Sequence, residues 1–528
     1  MDAHHPHRPI WTRSGPAMIG TVQAPPPPIR YRLLIFVGVV LGANLQVLDT
    51  TMATVALPRI QGALSATQDE IAWVLASYLI AVAIFMPLVG TLSERIGRRR
   101  LFLGTIVGFC IASMYTGTAD SLFEIVIFRF LQGVFASPLV PISQSFVFDA
   151  FPPETRGKVM GWWTLGLMFG ALLGPALGGY LAEFHSWRWA FYINVPFGIV
   201  SFAIIYIFGP TRPLPRGTQL FGMAGFLILS VGLVSLQIVL SRGERMDWFS
   251  SPQIASAALL AGASLYVYIV HTAYSSRPFI PPAVFADRNF SIGLMLMFMC
   301  GVHWLAFLAL ISPYLQTLAG YPVLLAGLVL VPQALGNATG AFTAGQLLSR
   351  FHPVPLMILG IIALAWANWQ MSLFTPVFDR TTFYVIVFVH GLGMGSYFVP
   401  LTVITFSTLP RQYTDVGTGL YAVARNFGSS VGVSLTVAYV VRETQANHAM
   451  LSEHASPFNE TLRHLPLPEA WSFVETTGVA ALNAEATQQA AAIAYNGDFG
   501  WLAMASLMCI PLLMFVRMPS GNRIKNEP

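Results

Sequence analysis

Apolar residues in this 528-residue chain gather in long continuous runs, not in stripes of period 3.6 or alternations of period 2. Runs of about 18 to 25 residues match the roughly 30 Å of hydrocarbon that a helix must cross, and they are too long for buried strands. Taking each run between polar, Pro or Gly breaks places spans at 33–56, 71–90, 101–118, 121–144, 159–182, 190–209, 219–240, 253–272, 291–312, 323–348, 354–375, 382–406, 418–441 and 497–517. The pattern predicts an all-α polytopic membrane protein with 14 transmembrane helices.

The spans group as six, two and six. A short tether, TRPLPRG (211–217), precedes the middle pair and a longer one, SSRPFIPPAVFADRN (275–289), follows it. The expected organisation is a disordered arm over 1–32, a six-helix bundle over 33–209, a linker with two extra helices over 210–290, a second six-helix bundle over 291–517, and a tail over 518–528. One connection is long, 442–496, and its Ala-rich end NAEATQQAAAIAY is able to extend the last helix outward.

Composition agrees: 55% of residues are hydrophobic and 10% charged, where about 25% charge is usual for a soluble chain. Lys and Arg concentrate in the termini and the even-numbered loops. The positive-inside bias then puts both ends in the cytoplasm. The net charge of +5 is scattered over many short loops, which argues against a nucleic-acid partner. Cys110, Cys300 and Cys509 lie in apolar spans without ligand spacing and read as packing residues, so no metal site is expected. No GxxxxGK[ST] or HExxH is present. The chain is thus expected to be neither an ATPase nor another enzyme, to need no cofactor, and to draw energy from an ion gradient.

The stretch GTLSERIGRRR (90–100) interrupts two apolar runs as a polar hinge loop. A fainter copy, GQLLSRFHP, starts at Gly345 with Gly90/Gly345, Leu92/Leu347 and Arg95/Arg350 in register. Such a duplication points to two related halves. Gly90, Glu94, Arg95, Gly97 and Arg98, with Asp149 at the end of the fourth span, form a candidate gating loop in which charge pairing latches one face. The competing view is that these arginines only set topology, since a lone loop ion pair is worth little in water.

Asp49 lies inside the first span, where a charge costs about 2.5–3.5 kcal/mol on insertion scales. Counted from Pro58 it sits about 13 Å deep, and Arg129, counted from Ser121, about 12 Å. Matching depth allows Arg129 to hold Asp49 ionised, with binding of a proton or cationic drug changing that balance. The plain alternative is a static ion pair that fixes helix packing. The fifth span carries Gly161, Gly166, Gly170, Gly174, Pro175, Gly178 and Gly179; glycines four apart form a stripe for close helix approach, and Pro175 adds a kink. Gln46, Gln144, His303 and His390 are candidate cavity-lining residues, each with the alternative of a packed side chain. Arg425, near the start of its span, reads as a snorkelling side chain.

Together these stretches resemble the major facilitator superfamily, and within it the fourteen-span drug:proton antiporter branch, the EmrB/QacA-like proteins. GTLSERIGRRR is similar to the family's loop motif, Arg129, Gln132 and Gly133 to its fourth-helix motif, and Gly161 to Gly179 to its antiporter motif. LDTTMATVALP, WRWAFYINVPFG (187–198) and SRGERMDWF (241–249) resemble marks of the branch. Two positions depart: Glu94 stands where Asp is usual, and Thr54 where Asn is usual. The resemblance implies two six-helix bundles plus two central helices, and export of amphipathic toxic molecules in exchange for protons. It also implies, in Gram-negative cells, a periplasmic adaptor and an outer-membrane channel as partners. The alternatives are an exporter of one specific metabolite, siderophore or lipid, and a non-transporting membrane sensor.

Overall fold

The protein is described here by a computed structural model covering residues 29–210, 222–275, 278–321, 328, 330–375, 379–454 and 475–517, and every long regular element among them is helical. In the first half these are α1 (Ile29–Ala63), α2 (Gln68–Phe85), α3 (Leu88–Ile96), α4 (Arg98–Thr118), α5 (Leu122–Ala136), α6 (Leu139–Ala150), α7 (Pro153–Phe184), α8 (Trp189–Tyr192) and α9 (Asn194–Phe208). Between the halves lie α10 (Met223–Arg242) and α11 (Pro252–Tyr274). The short α12 (Ala283–Ala286) leads into α13 (Arg288–Pro313), α14 (Leu330–Leu347), α15 (Pro353–Met371), α16 (Arg380–Thr405), α17 (Thr414–His454), α18 (Thr476–Leu507) and α19 (Cys509–Leu513). The arm up to residue 28, the tether 211–217, the middle of the long connection (455–474) and the tail 518–528 lie outside the described residues.

Local chemistry sets the boundaries. Thr67 caps α2 in a capping box with Glu70, Ser121 accepts from the Glu124 amide at the start of α5, and Asp287 and Asp379 cap α13 and α16. Prolines divide two predicted spans: Pro87 separates α2 from α3 at a bend of 60°, and Pro138 separates α5 from α6. A ring in place of the amide removes a ladder bond at each site.

Among the described residues nine helical segments are long and apolar enough to cross a bilayer, ten with the bent α2–α3 pair counted as one. The predicted spans outnumber these; α7, α14, α17 and α18 coincide with predicted spans but are not in that set. Their glycine, alanine and polar side chains suit helices packed against other helices.

Within the first half α1 packs on α7, α9 and α6, and α2 on α5; in the second half α13 packs on α17, and α16 on α14 and α15. The two halves meet through α7 against α14 and through α17 against α3 and α6, while α10 packs on α11 and also touches α2 and α17.

The structure corrects two expectations. GTLSERIGRRR is not a loop: residues through Ile96 are helical, Arg98 starts the next helix, and the corner is Gly97 alone, at φ +89°. That left-handed backbone is one a glycine adopts without strain. In the connection 442–496 the Ala-rich end does extend the last helix, α18 beginning at Thr476, but the start is helical as well, because α17 continues to His454. His448 Nε2 and Asn483 Oδ1, 2.9 Å apart, tie the two extensions together.

Candidate functional site

Asp49 on α1 and Arg129 on α5 are fully buried and in contact, Arg129 Nη1 donating to Asp49 Oδ2 at 2.5 Å. The other carboxylate oxygen, Oδ1, accepts from Gln132 Nε2 at 2.7 Å and from Asn194 Nδ2 at 3.0 Å. Arg129 also donates to the Val74 carbonyl at 3.2 Å and to Gln132 Oε1 at 2.8 Å, and its guanidinium lies 4.3 Å from the Tyr78 ring centroid. Asn194 is held in turn by the Ser113 hydroxyl at 3.0 Å, which donates to the Phe191 carbonyl. Four helices, α1, α4, α5 and α9, thus converge on one carboxylate. Burying a charge is tolerated only with this degree of pairing and hydrogen bonding. Gln132 and Asn194 enter the sequence reading only inside the stretches that carry the family resemblance, with no chemical role. The spacing of Gln132, three residues from Arg129 and hence on the same helical face, is a signal that could have found it.

At the end of the molecule that carries the Gly97 corner, Arg98 pairs with Asp149 of α6 and with Asp415 at the start of α17, and donates to the Ser145 carbonyl at 3.0 Å. Ser93 donates to Asp415 Oδ2 at 2.7 Å, and the Ser145 and Thr418 hydroxyls are 3.0 Å apart. Asp415 belongs to the second half, so this cluster closes the gap between halves. Burial pushes the Asp415 carboxyl up, but the Arg98 guanidinium and the Ser93 and Ser145 hydroxyls outweigh it and hold the group below the usual carboxylate range. Of the predicted gating residues, Arg98 and Asp149 are in the cluster, Gly90 abuts α17, and Glu94 and Arg95 are exposed. Asp415 escaped the sequence reading because nothing marks it as the partner of a motif more than 300 residues away.

The glycines of α7 serve two partners. Gly166, Gly170, Gly174 and Gly178 face Val40, Asn44, Thr51 and Met52 of α1, and a Cβ on Gly178 would come 2.9 Å from the Met52 Cα. Asn44 Nδ2 donates to the Gly166 carbonyl at 3.0 Å across that seam. Gly161 faces the other half, where a Cβ would lie 2.7 Å from the Ala341 carbonyl oxygen of α14. Gly179 has ordinary clearance, Val55 being 3.7 Å away. α7 runs unbroken through position 175, and the Pro175 side chain lies outside the described residues.

His303 is spent inside the second half, with Nδ1 2.8 Å from the Met299 carbonyl and Nε2 2.8 Å from the Ser506 hydroxyl. His390 is buried and stacked on Phe307 at 3.7 Å between centroids. Gln144 is buried on α6, while Gln46 is half-buried on α1 with its side-chain oxygen lacking a hydrogen-bond partner.

Comparison with known proteins extends this geometry. Residues 39–433 match the Major Facilitator Superfamily. The chain is 30% identical over 488 residues to the multidrug export protein EmrB of Escherichia coli (strain K12), covering 91% of this chain and 94% of that one. It is 31% identical over 499 residues to the fatty acid resistance protein FarB of Neisseria gonorrhoeae, covering 93% and 98%. Among solved structures, a double-tryptophan mutant of XylE aligns with a TM-score of 0.61 at 15% identity, over 93% of this chain and 97% of that one. The human organic anion transporter MFSD10 aligns at 0.58 and 15%, over 91% and 99%. With the matched region running from the first helix into α17, and with relatives of this identity along almost the whole length, the chain belongs to the Major Facilitator Superfamily.

Proposed function

We propose that the protein is a proton-coupled antiporter that exports hydrophobic or amphipathic small molecules across a bacterial cytoplasmic membrane by alternating access. In this reading fourteen helices cross the bilayer, as six-helix bundles over 33–209 and 291–517 with an inserted pair between them, and both termini are cytoplasmic. The multidrug export names carried by the relatives support the cargo class, and the lack of a nucleotide motif leaves an ion gradient as the energy source. The Gly97 corner then faces the cytoplasm, and the Arg98–Asp415 cluster is a closed cytoplasmic gate.

The observation that carries the coupling is the Asp49 network. Asp49 is the one carboxylate among the described residues whose ion pair is buried to 0% exposure on both sides. Ionised, it accepts from Arg129, Gln132 and Asn194 and binds α1 to α5 and α9. Protonation removes the negative charge that Arg129 pairs with and weakens that tie. Because α1 is seamed to α7, and α7 bears on α14 of the other half, the change reaches the boundary between halves. A periplasmic adaptor and an outer-membrane channel are proposed partners on the outer side.

The test uses purified protein in liposomes with an inside-acid pH gradient. Amphipathic drugs are added and lumenal pH is recorded for wild type and Asp49→Asn. Drug-induced proton release that vanishes in the variant supports the assignment. Release that persists moves the proton site elsewhere, and absence of release with any compound in wild type refutes proton-coupled drug export.

A further inference from the structure

Arg425 of α17 is a membrane-embedded cation without a carboxylate partner among the described residues. Asp49 and Arg129 neutralise each other, and Arg98 has two carboxylates. Arg425 makes no hydrogen bond and no ion pair among the described residues. The ionisable groups that act on it are the Cys300 thiol and the Tyr421 phenol. Both are uncharged near neutral pH, so neither supplies a counter-ion. Tyr421 already shares its hydroxyl with Thr402 at 3.0 Å, and the Cys300 sulfur points at the Met394 sulfur, 3.8 Å away.

Its place on the helix fixes which way it looks. Arg425 follows Thr418 by seven residues, two turns on, so it shares that residue's face about 10 Å farther along. Thr418 is the residue whose hydroxyl meets Ser145 of the first half, and Asn426, the next residue after Arg425, reaches Met86 of the first half. Arg425 therefore sits between the halves, beyond the closed end, half-buried and not sealed in the bundle core. A snorkelling arginine carries its head to water past the end of its helix. Here the Arg98–Asp415 cluster and the Ser145–Thr418 contact stand between Arg425 and that end.

An intramembrane guanidinium with no protein counter-ion calls for one supplied by a ligand, and its planar fork matches a carboxylate through two parallel hydrogen bonds. We propose that Arg425 is the recognition site for the anionic group of an amphipathic acid. This deepens the export function proposed above and rests on it: it makes long-chain carboxylic acids, not only neutral or cationic amphiphiles, cargo of the exporter.

The test compares three twelve-carbon probes that differ only in headgroup: dodecanoate, dodecyltrimethylammonium and dodecanol. Binding to the full chain in nanodiscs is followed by tryptophan fluorescence at about pH 8, where the acid is ionised. Dodecanoate is expected to bind at least about tenfold more tightly than dodecanol. That preference is lost in Arg425→Gln and partly kept in Arg425→Lys, while dodecyltrimethylammonium is unaffected by either change. An acid no tighter than the alcohol in wild type overturns the inference without recourse to any variant, and so does a folded Arg425→Gln protein that keeps the preference. If the cation and alcohol bind and the acid does not, the carboxylate site falls while the exporter stands. If none of the three binds and none drives proton flux in liposomes, both fall.

Discussion

Gly90 and Gly345, one from each half, press against the opposite half in the same manner. A Cβ on Gly90 would come 2.6 Å from the Val416 Cα, and a Cβ on Gly345 would come 2.6 Å from the Gly157 carbonyl oxygen. Val416 lies in the first turn of α17 and Gly157 in the second turn of α7, the two long helices that cross from one half toward the other. The register between the two copies of the polar motif is therefore a register of contacts: each half plants a glycine on the backbone at the start of its partner's long helix.

Widening either contact should open that end. In Gly345→Val the added methyls meet backbone, which cannot rotate away, so the closed arrangement is disfavoured by about 1–3 kcal/mol. A cysteine placed at Ser93, buried beside Asp415, should react with a bulky membrane-impermeant maleimide on the order of ten times faster in that background. Unchanged labelling would show that the glycine contact does not hold the end shut.

Acid should loosen the same end. Asp415 binds its proton less readily in the folded protein than when free, so its contribution is present above the ordinary carboxylate range and is lost as pH falls through its lowered value. Maleimide labelling at position 93, taken relative to an exposed control cysteine at the same pH because the thiolate is the reacting form, should rise on acidification below that range, and Asp415→Asn should give the high relative rate at every pH. A pH-independent relative rate in the background that retains Asp415 would exclude Asp415 as the titrating group.

The buried pair should be less tolerant of single than of double neutralisation. Asp49→Asn leaves Arg129 buried without its counter-ion, and Arg129→Gln does the converse. Breaking such a pair from one side typically costs about 3–5 kcal/mol. Asp49→Asn with Arg129→Gln should recover much of the lost thermal stability in detergent yet remain inactive in proton-coupled transport. Recovery of coupling in the double variant would show that the carboxylate is not the proton site.

The glycines of α7 should differ in tolerance according to what each faces. Gly170→Ala meets the end of the Asn44 side chain, which can rotate at the loss of its hydrogen bond to Gly166, about 1 kcal/mol. Gly178→Val meets the Met52 backbone and has no such relief, so it should lower the melting temperature clearly more than Gly170→Ala. Equal shifts would mean that the seam relaxes by moving the whole of α1.

Much of this was legible from residue order, and the gaps have physical causes. Asp49 and Arg129 stood out because charge in an apolar run is costly, and depth counting placed them level. The glycine stripe was visible as a spacing, but its partner was not, since small residues say that something approaches closely without saying what. Asn194 and Asp415 were hidden for the opposite reason: an amide near a span end and an acid beside a polar turn are ordinary until the fold brings them to a charge. The motif at 90–100 read as a loop because its composition is polar, yet a helix end in contact with charged partners needs no apolar face. His303 and His390 looked like cavity residues because a histidine is conspicuous in a greasy run; one is held by backbone carbonyls, and the other stacks on a phenyl ring with its Nε2 left without a hydrogen-bond partner.

α7 belongs to two bodies at once. Along its far portion it is fused to α1 by interlocking side chains and an amide tie, whereas at its start it meets α14 through glycine-to-backbone faces and the edge-on rings of Trp162 and Phe342, 5.1 Å apart. The first surface resists shear; the second is a parting line, where flat faces separate and rejoin without a directional bond being torn. A compound that filled the gap left when those faces part would jam the cycle from outside the cargo pocket, and a change of cargo preference would give no escape from it.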